Sequence, residues 1–204
     1  MKLYFAPRTR AVRGRWLLEE LEVPYELVRL DLSHEENTTP AYLAVHPLGE
    51  VPALVDGDVT LLESLAICLH LADRIPEKQL APQVGAADRG RYYRWMVFAE
   101  LTLDPAVMAF YGQARSPETT GGLAESPEAL AVQRSRIAAV LDVIDSGLGE
   151  RMCLVGDTFS AADIVTASIL HLANRLGLLV GHPRLVEYVR HHTQRPALRR
   201  AVLG

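Results

Sequence analysis

The chain has 204 residues and a mass of 22.5 kDa, which suffices for one large domain or two small ones. Apolar residues make up 49% and charged residues 23%, a composition typical of a folded protein rather than a disordered one. The net charge is −4 and the pI is about 6.0. These values exclude a global positive field, so nucleic acid is not expected as a main partner.

The apolar runs are all shorter than the roughly 20 residues of a membrane span, and residues 1–16 lack the apolar core of a signal peptide. We therefore expect a soluble, cytoplasmic protein with no membrane partner. Cys68 and Cys153 form no paired motif and are predicted to be buried free thiols. His191 and His192 lack carboxylate partners at ligand spacing and are predicted to be solvated, so no metal is expected.

The first third of the chain alternates between strand-like and helix-like patterns. Residues 2–5 and 25–32 read as strands, separated by a helix with Leu17, Leu18 and Leu21 on one face and with Glu19 and Glu20 turned outward. A short helix is predicted at residues 41–45. These elements indicate an α/β unit.

A hairpin is predicted next, because the β-prone residues 51–55 and 59–62 are separated by the turn sequence Asp56-Gly57-Asp58. A helix over residues 63–74 follows. It ends before Pro76, since a proline pushes the preceding residue out of the helical region.

The remainder of the chain has helical periodicity. The predicted helices are residues 86–113 with a kink at Pro105, 127–148, 161–177, 182–192 and 196–202, and residues 116–127 read as a loop. Ser160 and Asp163 have the spacing of a helix-capping box rather than of a catalytic pair. We thus expect an α/β domain over residues 1–77 and an all-α domain over residues 86–204.

Four segments, in this order along the chain, resemble signature segments of the glutathione transferase superfamily in its bacterial cytosolic form. They are WLLEEL at 16–21, LGEVPAL at 48–54, LLESLAI at 61–67 and GDTFSAADI at 156–164. The resemblance implies a thioredoxin-like N-terminal domain with a cis-proline at Pro52, and an all-α C-terminal domain.

The same resemblance implies a glutathione site in the N-terminal domain. The backbone of Val51, before Pro52, would pair with glutathione as with an added strand. Ser64, at a helix N-terminus, would bind the γ-glutamyl carboxylate, and Glu63 would receive the α-ammonium.

Glu50 departs from the family pattern, because many members carry a lysine there near the glycine carboxylate of glutathione. An acid at this position repels that carboxylate. The compensating cation would come from His46 or from the loop at residues 34–38, or the affinity would be low.

The catalytic loop departs as well, since residues 6–13 contain no cysteine and no serine, and Tyr4 lies within the strand. A mechanism that uses a protein thiol is therefore disfavoured. Thr9 is one candidate to stabilise the glutathione thiolate, and Arg10 or its backbone N–H is a second. The third alternative is a site with no dedicated donor.

Four arginines cluster around this loop, and we interpret them as a solvated face: Arg8, Arg10, Arg13 and Arg15.

The resemblance places the second substrate between the domains, where Met108, Phe110 and Tyr111 would form an apolar wall for an electrophile. It also implies a homodimer, in which Glu100 or Asp104 of the partner reaches the γ-glutamyl ammonium.

The predicted function is that of a glutathione transferase, which attacks a small apolar electrophile with the glutathione thiolate. Glutathione-dependent peroxidase or disulfide-reductase activity would use the same thiolate. Two alternatives remain open. One is a non-catalytic binding or interaction protein of this fold, and the other is a specialised glutathione-dependent isomerase or dehalogenase.

Overall fold

The computed structural model describes residues 1–114 and 126–203. Most of the predicted loop at 116–127 lies outside the described residues. The strands are β1 (Lys2–Phe5), β2 (Glu26–Arg29), β3 (Ala53–Asp56) and β4 (Val59–Leu62). The helices are α1 (Ala11–Leu21), α2 (Pro40–Leu43), α3 (Ser64–Arg74), α4 (Arg89–Phe98), α5 (Asp104–Ala114), α6 (Pro127–Leu148), α7 (Ala161–Arg175), α8 (Pro183–Thr193) and α9 (Pro196–Leu203).

The chain divides into two compact units. Unit 1 comprises Met1–Gly85 and Gln194–Gly204, and unit 2 comprises Ala86–Thr193. The sequence-based division instead assigned residues 86–204 to the helical domain. None of the helices among the described residues is long and apolar enough to cross a membrane.

Unit 1 is built on a mixed sheet of order β2-β1-β3-β4. Strands β1 and β2 pair in parallel, as expected of a β-strand, helix, β-strand crossover through α1. Strands β3 and β4 form the predicted antiparallel hairpin, in which Asp56 pairs with Val59 and Gly57 takes a φ of +62°. This sheet and the helical unit 2 match the predicted thioredoxin-like and all-α architecture.

The C-terminal helix α9 belongs to unit 1 because it packs against α1. The guanidinium of Arg195 donates two hydrogen bonds to the Glu20 carboxylate, at 2.6 and 2.8 Å. Arg200 donates to Glu19 at 2.7 Å. The prediction that these two glutamates turn outward is therefore wrong, since α9 covers that side of α1.

Unit 2 begins with a helix that changes its winding near Pro105. Helix α4 continues through a π-helical turn, Ala99–Leu103, into α5. Pro105 has no N–H to donate to the carbonyl four residues earlier, so the helical hydrogen-bond ladder is interrupted there. The predicted irregularity at Pro105 thus takes the form of a π-helical turn.

Further along, Gly147 lies so close to the Trp95 ring that a Cβ would be 2.3 Å from its Cζ2 atom.

The capping box predicted from Ser160 and Asp163 is confirmed. Asp163 is 0% exposed, and its carboxylate accepts hydrogen bonds from the backbone N–H groups of Leu154 and Ser160, both at 2.9 Å. It also accepts from the hydroxyls of Tyr188 at 2.9 Å and Ser160 at 3.1 Å. Burial raises the pKa of this carboxyl, and these donors oppose that effect.

His192 lies against this network, and its predicted solvation is wrong. It is 0% exposed and its Nε2 lies 2.7 Å from the Met152 carbonyl oxygen. Its ring contacts those of Tyr188 and Phe159, with centroids 4.4 and 5.2 Å away. His191 is exposed, as predicted. The difference arises because α8 packs against α7, which places only one of two adjacent residues inside.

Replacing Asp163 with Ala should lower the free energy of unfolding by roughly 2–4 kcal/mol, because buried donors lose a shared acceptor. Thermal or chemical denaturation measures this change. Asp157 is exposed and provides a matched control, since its replacement with Ala should have little effect. Equal stability of the two variants would contradict the structural role of Asp163.

Candidate active site

The segment before Pro52 is the first part of the site. The Val51-Pro52 peptide bond is cis, as expected. Val51 is partly exposed, and none of the hydrogen bonds among the described residues uses its backbone N–H or carbonyl. Both groups are therefore available to pair with an extended ligand.

Two side chains that the sequence analysis did not single out hold the residues just before Val51. The Tyr42 hydroxyl donates to the Glu50 carbonyl, and Asn37 Nδ2 donates to the Gly49 carbonyl at 2.7 Å. Gly49 has a φ of +65°, and a Cβ there would be 2.8 Å from the Asn37 carbonyl oxygen. The approach to Val51 is thus fixed by side-chain donors and by a glycine.

Tyr42 is suited to this role because it is buried between two rings. Its centroid lies 5.2 Å from that of Tyr4 and 6.3 Å from that of His46. Burial is the main cause that raises the pKa of Tyr42 to about 12, so its hydroxyl remains a donor at neutral pH. His46 is 5% exposed and its Nδ1 accepts from the Leu48 N–H at 3.3 Å, so its ring is buried rather than solvent-facing.

The N-terminus of α3 forms the second part of the site. Ser64 is 4% exposed, and Arg13 of α1 donates from Nη1 to its hydroxyl at 3.3 Å. Arg13 is only 3% exposed, so its predicted place on a solvated face is wrong. A guanidinium and the positive end of an eleven-residue helix thus meet at one hydroxyl, which is an arrangement suited to a carboxylate.

Glu63 precedes this helix in an unusual backbone conformation. Its φ is +68° and its ψ is 119°, and its side chain is exposed. A non-glycine residue in such a conformation costs on the order of 1–3 kcal/mol, and such strain clusters at ligand sites.

The other arginines near the first loop divide into two groups. Arg8 and Arg10 are exposed, in agreement with the predicted solvated face. Arg15 is buried, contrary to the prediction, and its guanidinium lies 5.0 Å from the centroid of the Phe5 ring. Its Nε donates to the Tyr25 hydroxyl at 3.4 Å.

Thr9 and Arg10 lie where β1 leads into α1. The Thr9 hydroxyl donates to the Ala6 carbonyl at 2.7 Å and accepts from the Ala11 N–H at 3.2 Å. Its single proton is therefore engaged within the loop, and a bond to a ligand would require the hydroxyl to rotate. Arg10 directly precedes the first residue of α1.

Unit 2 carries the remaining residues that the sequence analysis selected. Met108 and Tyr111 are partly exposed on α5, whereas Phe110 is buried, with the Arg134 guanidinium 4.7 Å from its ring centroid. Glu100 is partly exposed and Asp104 is buried, so Glu100 is the more accessible of the two acids.

One group of possible metal ligands occurs among the described residues, consisting of Cys153, Asp163 and His192. These residues are buried, and their ligand atoms lie within 4.8 Å of one another. Each Asp163 oxygen already accepts two hydrogen bonds, so the carboxylate has little capacity left for a cation. We therefore interpret this group as part of the hydrogen-bond network that stabilises unit 2. Cys153 and Cys68 are buried thiols outside any disulfide, as predicted.

Comparison with known proteins agrees with this architecture. Residues 1–73 match the family described as glutathione S-transferase, N-terminal domain, and residues 95–196 match its C-terminal domain. The glutathione S-transferase GstB of Escherichia coli (strain K12) is 31% identical over 192 residues, which cover 91% of this chain and 89% of that protein.

Solved structures agree as well. A sphingomonad glutathione S-transferase complexed with glutathione superimposes with a TM-score of 0.81 at 31% identity, covering 99% of this chain and 97% of that one. A glutathione transferase family member from Pseudomonas fluorescens pf-5, with two glutathione bound, gives a TM-score of 0.85 at 26% identity, covering 98% of this chain and 91% of that one. The chain therefore belongs to the glutathione S-transferase family, and its identification from sequence as a glutathione transferase enzyme is confirmed.

Proposed function

We propose that the protein binds glutathione in unit 1 and transfers its thiolate to a small apolar electrophile. The observation that carries this proposal is the combination of an unpaired Val51 backbone among the described residues with the Arg13–Ser64 pair. The first suits a peptide and the second suits a carboxylate, and glutathione offers both.

The hairpin supports one orientation of the ligand. Ala53 and Leu62 form its last pair, and Val51 and Ser64 each lie two residues beyond that pair, at the same end of the sheet. The γ-glutamyl carboxylate binds at Ser64 and Arg13, and the cysteinyl part of glutathione pairs with Val51. Glu63, exposed beside Ser64, receives the α-ammonium.

The thiol needs a donor to ionise at neutral pH, because a free cysteine thiol has a pKa of about 8.5. Thr9 must give up its bond to the Ala6 carbonyl to donate to the sulfur. Arg10, which is exposed, offers a positive charge next to the same loop. Thr9 and Arg10 are candidates for stabilising the thiolate, beside the Arg10 backbone N–H and a site with no dedicated donor. Peroxidase or disulfide-reductase activity would use the same thiolate without Cys68 or Cys153, which are both buried.

Met108 and Tyr111 are the accessible candidates for contact with the electrophile, since Phe110 is buried. We also propose a homodimer in the cytoplasm. An exposed apolar stripe supports it, formed at a spacing of four residues by Tyr93, Val97 and Leu101. Glu100 or Asp104 would be the acid contributed by the partner.

Replacing Thr9 with Val should lower kcat about 10- to 100-fold if its hydroxyl stabilises the thiolate, because a hydrogen bond to a charged group is lost. The pH–rate profile should shift to higher pH, while glutathione binding persists. Thr9→Ser retains a hydroxyl and is the matched control. An unchanged rate in Thr9→Val together with a loss in Arg10→Gln would assign the role to Arg10.

Replacing Tyr42 with Phe should raise the KM for glutathione roughly three- to tenfold and leave kcat nearly unchanged. The Glu50 carbonyl loses its donor, so the backbone that presents Val51 is held less firmly, and the loss falls on binding. Steady-state kinetics at varied glutathione measures this split. Tyr25→Phe is the control, because the Tyr25 hydroxyl donates to the Glu19 carboxylate rather than to the backbone before Val51, and an equal KM in both variants would contradict the role of Tyr42.

Replacing Arg13 with Met should weaken glutathione binding at least tenfold, since a charge-assisted partner of the carboxylate is removed. Arg13→Lys keeps the charge and should recover part of the affinity, which a purely structural role in α1 would not predict. Calorimetry measures the glutathione affinity of both variants, and circular dichroism checks their folding, so a charge contribution is distinguished from a structural role. Equal weakening in both variants, with the fold intact, would argue against a charge contribution.

A further inference from the structure

The part of unit 1 that meets a peptide ligand has an unusual charge pattern. No lysine or arginine occurs between Arg29 and Arg74. The acidic residues of this interval are Asp31, Glu35, Glu36, Glu50, Asp56, Asp58, Glu63 and Asp73. The positive charge at the ligand carboxylate pocket comes from outside the interval, through Arg13 on α1.

The three histidines of this interval already have hydrogen-bond partners within the chain. His34 Nδ1 lies 2.8 Å from the Asp31 carboxylate, and His70 Nε2 lies 2.9 Å from that of Asp56. Each of these two rings is therefore already paired with a carboxylate. His46 is buried and its Nδ1 accepts from the Leu48 N–H.

The proposed binding mode determines which end of the ligand meets this charge. On one side of Val51 the chain runs through Pro52 into the hairpin that leads to Ser64, and on the other side lie Glu50 and Gly49. With one carboxylate at Ser64 and the cysteinyl part at Val51, the third residue of glutathione extends away from Ser64, along Glu50 and Gly49. Glutathione ends there in a carboxylate. Glu50 is exposed, so its carboxylate is accessible to that end of the ligand.

We propose that Glu50 makes this site selective for γ-glutamylcysteinyl thiols whose C-terminal end carries no negative charge. Such thiols include a glycine amide, a glycine ester or a conjugate with a cationic amine. This inference rests on the proposed glutathione site and defines its substrate class. Two like charges at a protein surface repel weakly, so the preference over glutathione should be about three- to tenfold.

The experiment compares two ligands that differ only at this end, glutathione and glutathione amide, by calorimetric titration of the full chain at neutral pH. The wild type should bind the amide about three- to tenfold more tightly. Glu50→Gln should reduce the ratio of the affinity for the amide to the affinity for glutathione, and Glu50→Lys should make glutathione the tighter ligand. High salt should narrow the wild-type preference, because it screens exposed charges.

The variants should fold, because Glu50 is exposed and Tyr42 bonds to its backbone carbonyl rather than to its side chain. Glu77→Lys makes the same charge change at an exposed position of unit 1 outside the acidic interval, and should leave the ligand preference unchanged.

Tighter binding of glutathione than of the amide by the wild type would overturn the inference, as would an unaltered ratio in Glu50→Lys. These results would leave the proposed glutathione site standing. Absence of binding for both ligands would instead overturn the proposed site, and the inference with it.

Discussion

The buried guanidinium of Arg13 beside Ser64 is the interaction on which the account of unit 1 depends. Burying a charge is costly unless polar groups compensate for the lost water. Here the Ser64 hydroxyl receives a hydrogen bond from Arg13. An incoming carboxylate adds the opposite charge that such a site favours, and the N–H groups at the start of α3 add further donors. An anionic ligand at this point would meet both a guanidinium and the N-terminus of a helix.

The rest of unit 1 positions this pair and the backbone opposite it. Arg13 lies on α1, which is covered by α9 through the ion pairs of Glu19 and Glu20. Ser64 begins α3 two residues after the hairpin strand that ends at Leu62. The Tyr42 bond to the Glu50 carbonyl fixes the chain before Val51. Residues far apart in sequence therefore converge on one short stretch of backbone.

The sequence predicted the elements that depend on local signals. The hairpin turn at Gly57 and the capping box of Ser160 and Asp163 were recognised because each is set by residues close together in the chain, whereas the cis-proline was implied by the family resemblance. Arg13, Arg15 and His192 were misjudged, because their burial depends on elements that pack over them from elsewhere. Helix α1 is buried on nearly all sides, and periodicity alone does not reveal that α9 covers it. Tyr42 and Asn37 carry no sequence signal, since their acceptors are backbone carbonyls.

The most direct test of the account is a titration of the wild-type protein with glutathione, in which heat and ultraviolet thiolate absorbance are followed from acidic to basic pH. The account predicts saturable binding and a bound thiol whose pKa lies well below the value of about 8.5 for a free cysteine. Absence of binding, or a bound thiol that titrates like free glutathione, would contradict it.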